Sequence, residues 1–201
     1  RCMALSVAVA IGDEIADLVI EKLSHEMQQL KFGHYADQQN DFGPLISQAH
    51  KDKVQAFIQS AEQQGAKIVV DGRDAKPVGY ETGFFVGPTL IDQVSTDMTS
   101  YQQEIFGPVL VVMKYDNEQD LIAQANDSCF GLATGIWTES YRKAWRISRA
   151  LEVGTVWINT YKKFSISAPF GGFKDSGIGR EKGRLGILSY MLHTFIFIKY
   201  Y

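Results

Sequence analysis

Cys2 is the residue of this chain best suited to attack a carbonyl carbon. A thiolate is a strong nucleophile, and a neighbouring positive charge such as that of Arg1 favours the thiolate form. On its own, a cysteine so close to a terminus is more simply an incidental thiol. The other cysteine, in Ser128-Cys129-Phe130-Gly131, reads as a small packed hydrophobe. The stretch Gln102-Gln103-Glu104-Ile105-Phe106-Gly107-Pro108 sets a carboxylate, an aromatic ring and a Gly-Pro turn before an apolar run. The Glu104 carboxylate can accept both hydroxyls of a ribose, and the Phe106 ring can face a flat heterocycle. A surface turn with an exposed Glu and a packed Phe explains the same spacing. His50 and Lys53 stand one helical turn apart, an arrangement common among ordinary surface residues.

A third segment, Gly171 to Glu181, is rich in glycine and contains Gly177-Ile178-Gly179. It fails as a dinucleotide fingerprint, because no buried strand precedes it and Lys182 stands where a further glycine is needed. It reads as backbone shaping ahead of a helix, with no phosphate bound. Arg142, Arg146 and Arg149 share one helical face, opposite Tyr141, Ala144, Trp145 and Ser148, and read as a solvated face.

The elements that must position these residues alternate between extended and helical patterns. Strands are expected at Ser6–Ile11, Lys67–Asp71, Val109–Tyr115, Thr134–Trp137 and Gly154–Ile158, with a further extended stretch from Phe84 to Leu90. Helices are expected at Asp13–Leu30, at Ser47–Gln64 capped by Ser47 and ended by Gly65, and over a short span after Asp116 or Asn117. Two more are expected at Glu139–Ala150 and Gly179–Leu192. Strands separated by helices predict one α/β domain with a mostly parallel twisted sheet flanked by helices. Thr194 to Tyr200 reads as a terminal strand, aromatic and β-branched, which either lies within its own domain or is donated to a neighbouring subunit.

The 201 residues are 45% hydrophobic, enough for a real core, and the net charge of −3 is scattered without a basic tract for nucleic acid or an anionic membrane surface. The apolar run around Phe195–Ile198 is too short to span a bilayer. Two cysteines make no disulfide framework, so a reducing, cytoplasmic setting is expected. His25, His34, His50 and His193 have no zinc-site spacing, and no metal site is expected.

Several segments in order carry a resemblance: Arg1-Cys2, Gly43-Pro44-Leu45-Ile46, Gly83 to Pro88, Glu104-Ile-Phe-Gly-Pro108, Phe130-Gly-Leu-Ala133 and Gly154-Thr-Val-Trp-Ile-Asn159. The last is Pro169-Phe-Gly-Gly172 with Lys174, Ser176-Gly177 and Gly179-Arg180-Glu181. Together they resemble the C-terminal portion of the aldehyde dehydrogenase family, over essentially the whole chain. The resemblance implies that Cys2 is the catalytic thiol and that its backbone N–H is half of an oxyanion hole. It implies that Glu104 holds the nicotinamide ribose of NAD or NADP, that Phe106 lies against the nicotinamide, and that His50 and Lys53 make weaker cofactor contacts. Phe164, Ile166 and Phe170 would line the aldehyde pocket, with Lys162 and Lys163 suiting an anionic or polar tail or facing solvent.

On this reading residues 1–192 are part of a catalytic domain, and 193–201 are the strand of a dimer or tetramer. The opening Arg-Cys-Met-Ala-Leu-Ser also resembles acylating semialdehyde dehydrogenases that use coenzyme A, but their distal loop lacks Pro-Phe-Gly-Gly and Gly-Arg-Glu, which favours hydrolytic release of an acid. The start at arginine is read as a piece of a longer protein, inactive alone and a poor binder of dinucleotide. The alternatives are a truncated non-catalytic homologue serving as an interaction or assembly module, and a cysteine hydrolase, for which no motif places a histidine as base.

Overall fold

Val109 to Met113 is a run of five apolar residues, all buried, at the start of strand β4 (Val109–Tyr115) of the computed structural model, which describes residues 2–201. A strand covered on both faces needs apolar side chains at every position. β4 therefore takes an inner place, between β1 (Val7–Ile11) and β3 (Thr89–Asp92), parallel to both. The edge strand β2 (Lys67–Val70) runs antiparallel to β3, giving the order β1-β4-β3-β2.

Alternate residues of β4 serve two cores. Val109, Val111 and Met113 pack with Val54, Phe57, Ile58 and Ala61 of α2 (Gln48–Gln63). Leu110 and Val112 pack with Ile20, Leu23 and Met27 of α1 (Asp13–Gln29). Ser47 caps α2 as expected, its hydroxyl accepting from the His50 N–H, and Gly65 ends it at φ +99°. The short α3 (Thr99–Gln102) precedes the Glu104 loop.

The chain divides into two compact units, Arg1–Leu121 and Ile122–Tyr201, where the sequence predicts one domain; the division falls inside α4 (Glu118–Asn126). In the second unit β5 (Phe130–Gly131) pairs antiparallel with β8 (Phe173–Lys174), and β6 (Ala133–Ile136) pairs parallel with β7 (Thr155–Ile158). Helix α5 (Tyr141–Ala150) buries Ala144 and Ile147. Tyr141 and Trp145, expected on that inner side, are exposed and stack on each other, ring centres 6.3 Å apart.

The α/β class and the mostly parallel pairing stand, with three corrections. The extended stretch expected from Phe84 is a strand only from Thr89, since the Gly87 N–H is given to the Gly72 carbonyl. The last helix, α6, covers Gly183–Leu188 and not Gly179–Leu192. Gly179 and Lys182 take positive φ, and Glu181 is spent on a bridge with Phe170, so the helix cannot start earlier. Residues 191–201 form no strand, because no strand among the described residues pairs with their backbone; Phe195, Ile196, Phe197 and Ile198 are exposed.

Candidate active site

The loop after α3 alternates in exposure. Ile105 is buried in the α2 core, while Glu104 and Phe106 on either side turn outward. That period of two is what extended backbone produces. Phe106 then adopts φ +57°, a left-handed conformation unfavourable for a bulky side chain and typical of strain held at a functional site. Gly107 brings the backbone against α2, where a Cβ would lie 2.9 Å from both methyl groups of Val54. One turn earlier on the same helix face, the His50 Nε2 is 2.9 Å from the Phe106 carbonyl oxygen.

These three anchors fix the loop as one wall of a cavity of about 240 Å³. Cys2, Glu104 and Phe106 all line it, so three of the residues singled out by sequence converge. Phe42, Gly43 and Val86 supply other walls. Phe42 is held by a bridge to Phe32 and by ring stacking with it at 5.4 Å. Its role was not read from sequence, although the Gly43-Pro44 segment beside it was noted. Cys2 is exposed, and among the described residues no group hydrogen-bonds its sulfur. Arg1, expected to favour the thiolate, lies outside the described residues. His50 reaches the site through the Phe106 carbonyl and does not line the cavity. Nor does Lys53, whose ammonium lies 5.6 Å from the Phe57 ring centre.

The donor set fits the nicotinamide-ribose end of a dinucleotide, pairing an exposed carboxylate for diol hydroxyls with an exposed ring for a flat heterocycle. No group of three or more His, Cys, Asp or Glu placed to hold a metal occurs among the described residues.

In the second unit the expected substrate residues Phe164 and Phe170 meet edge to face, 5.4 Å apart at 86°. Phe164 also meets Trp157 of β7 edge-on at 5.4 Å, and Trp157 Nε1 donates to the Lys163 carbonyl at 2.6 Å, tying the loop to the strand. Tyr161 packs on Trp157 at 4.7 Å, and burial pushes its phenol above the ordinary value. Ile166 is exposed and lines a groove with Arg180, Lys182 and Arg184. Its backbone is fixed, the Ile166 carbonyl accepting from the Gly183 N–H. Lys162 and Lys163 are exposed.

The glycine-rich segment is a scaffold for this loop. A Cβ at Gly154 would collide with the Gly171 carbonyl, so only glycine lets β7 begin there. Arg180 donates to the Gly172 and Gly179 carbonyls, and Lys174 to those of Asn126 and Ser128 while pairing with Glu152 at 2.8 Å.

A model of a known family, described as "Aldehyde dehydrogenase family", matches residues 1–196. Betaine aldehyde dehydrogenases of Brucella anthropi and Brucella melitensis biotype 2 are 36% and 38% identical over 182 residues, which is 90% of this chain and 37% of each relative. The methylmalonate-semialdehyde dehydrogenase DddC of Oceanimonas doudoroffii superposes with a TM-score of 0.89 at 46% identity, over 93% of this chain and 39% of that one. The Mycobacterium tuberculosis aldehyde dehydrogenase complexed with NAD+ gives 0.87 at 37% identity, over 94% and 38%. The chain thus spans under two-fifths of the length of the relatives it matches.

Proposed function

The chain belongs to the aldehyde dehydrogenase family, and from that premise we propose that it supplies the nucleophile-bearing part of an NAD(P)-dependent enzyme that oxidises an aldehyde to a carboxylic acid. The convergence of Cys2, Glu104 and Phe106 on one cavity carries this reading.

The Cys2 thiolate adds to the aldehyde carbon, forming a C–S bond and placing a negative charge on the carbonyl oxygen, to which the Cys2 backbone N–H donates. A nicotinamide dinucleotide supplies the hydride acceptor when bound. Loss of hydride from the carbon oxidises it to a thioester on Cys2; water then adds, the thiolate leaves, and the acid is released. Glu104 accepts the ribose hydroxyls and Phe106 supports the ring. His50 acts on that contact indirectly, through the Phe106 carbonyl, and Lys53 is at most peripheral. A cavity of about 240 Å³ suits the nicotinamide-ribose end alone, so the remainder of the dinucleotide is held by other residues. Phe164, Ile166 and Phe170 form the aldehyde pocket. Residues 1–192 then belong to the catalytic part, and 193–201 supply a strand to a neighbouring subunit of a dimer or tetramer in the cytoplasm. The 201 residues alone reduce no NAD, because among the described residues the nucleophile has one end of a cofactor site and no hydrogen-bonded base.

The test is mass spectrometry of the natural polypeptide containing these residues, quenched during turnover of an aldehyde with NAD+. An acyl adduct on the Cys2 peptide, absent in C2S, is expected. NADH formation without that adduct, or with the adduct on Cys129, overturns the assignment. Adding coenzyme A separates hydrolytic from acylating release, since only the latter yields an acyl-CoA.

A further inference from the structure

The Lys182 ammonium sits over the Phe164 ring, 4.2 Å from the ring centre. A cation at that distance occupies the electron-rich face of the ring. Among the described residues no carboxylate lies within ion-pair distance of Lys182, so its charge is not cancelled locally. The adjoining groove, which Ile166 and Lys182 both line, also carries Arg180 and Arg184, with Glu181 its single acid. Lys162 and Lys163 add two more exposed cations to the loop that carries Phe164. The backbone that sets this arrangement is tightly held: Phe170 and Glu181 exchange two hydrogen bonds of 2.7 Å, and Lys182 itself is pinned at φ +61°.

We infer that Lys182 sets the charge preference of the aldehyde pocket, favouring aldehydes with a carboxylate tail and rejecting those with a quaternary ammonium. The inference rests on the assignment of Phe164, Ile166 and Phe170 to that pocket. An aromatic face is the natural receptor for a trimethylammonium group, but here the protein's own ammonium already fills it. A second cation would meet like charge and gain no ring face, whereas a carboxylate would find an unpaired ammonium beside an apolar wall. Discrimination of this kind works through repulsion of the wrong tail as much as through attraction of the right one.

The experiment compares kcat/KM of the natural polypeptide for three aldehydes of similar length: succinic semialdehyde, pentanal and 4-trimethylammoniobutanal. The carboxylate substrate should exceed the ammonium substrate by at least about ten-fold, a typical return for one favourable and one repulsive charge contact. Lys182→Met should lower the first about ten-fold, raise the third, and leave pentanal within about two-fold; Lys182→Arg should keep the wild-type order. A Lys182→Met variant that shifts all three equally gives the lysine only a role in holding the loop, and overturns the inference. No oxidation of pentanal means failure of the dehydrogenase reading, a separate result. Tryptophan fluorescence titrated with the same aldehydes then decides the inference, because Trp157 touches Phe164. Quenching selective for the carboxylate and lost in Lys182→Met upholds it, and quenching indifferent to charge overturns it.

Discussion

The His50 imidazole, on the first turn of α2, holds the Phe106 carbonyl at 2.9 Å across 56 residues of sequence. A carbonyl oxygen only accepts, so Nε2 is the donor in this contact. The bond holds the peptide that places Phe106 in its left-handed conformation.

Removing it should loosen the loop without unfolding the core. His50→Ala is expected to cost about 1 kcal/mol, the usual net worth of one hydrogen bond. Amide hydrogen exchange at residues 105–107 should quicken, while amides of β4 keep their protection. His50→Gln, which retains a donor, should recover part of the loss.

Gly107 makes a sharper prediction. A methyl group there meets both Val54 methyls, and Val54 is wholly buried. Gly107→Ala should destabilise by about 1–3 kcal/mol in denaturant titrations. Pairing it with Val54→Ala should give a double variant more stable than the sum of the single losses, because each change relieves the other.

Phe106 should show stability and activity moving apart. Its ring is more than half exposed, so little packing is lost on removal, and glycine tolerates φ +57°. Phe106→Gly is expected to leave thermal stability unchanged or raise it by up to about 1 kcal/mol, offsetting a left-handed cost of about that size. Oxidation of an aldehyde by the natural polypeptide should fall at least ten-fold if the ring supports the nicotinamide, on the order of 1.4 kcal/mol. Glu104→Gln should likewise lower activity with a stability change within about 0.5 kcal/mol, as for an exposed site.

The Arg73 cluster predicts an acid response. Arg73 pairs with Asp71 at 2.6 Å and with Glu62 at 2.7 Å, and the Arg73 hydrogen bond holds the Asp71 carboxyl below its ordinary value. A depressed folded-state value means the contribution is present above the unfolded value of about 3.9 and is lost as pH falls through the lower folded one. Both acids are substantially exposed, so the effect should stay under about 1 kcal/mol. Arg73→Met should lower stability at pH 7 by up to about 1 kcal/mol and flatten the wild-type loss between about pH 4 and pH 2, the two proteins converging at low pH.

Elements whose signal is local were legible in sequence. β4 begins where its five-residue apolar run does, because burial on both faces leaves no polar position to blur its start. The Ser47 cap and the Gly65 stop bound α2 for equally local reasons. The two-residue strands β5 and β8 were illegible, since only their pairing across more than forty residues defines them. Thr194–Tyr200 shows the converse, a strong strand composition with no strand neighbour among the described residues. Of the residues lining the cavity, Glu104 and Phe106 stand out in sequence through their shared motif, whereas Phe42 does not, and neither does the contact of Lys182 with Phe164. Phe42 acquires its place from Phe32, and Lys182 from a ring eighteen residues earlier, and neither relation leaves a pattern in composition or spacing.

The register of β1 against β4 couples the Cys2 segment to the timing of synthesis. Val7 pairs with Val111 and Ile11 with Tyr115, so the strand that follows Cys2 waits for roughly a hundred further residues before its neighbour exists. While the chain emerges from a ribosome, β1 is an unpaired, largely apolar ribbon beside the free Cys2 thiol, open to chaperones and oxidants alike. The thiol reaches its place beside Glu104 and Phe106 only after both of those residues and the central strand have been made, so Cys2 is synthesised roughly a hundred residues ahead of the surroundings that position it.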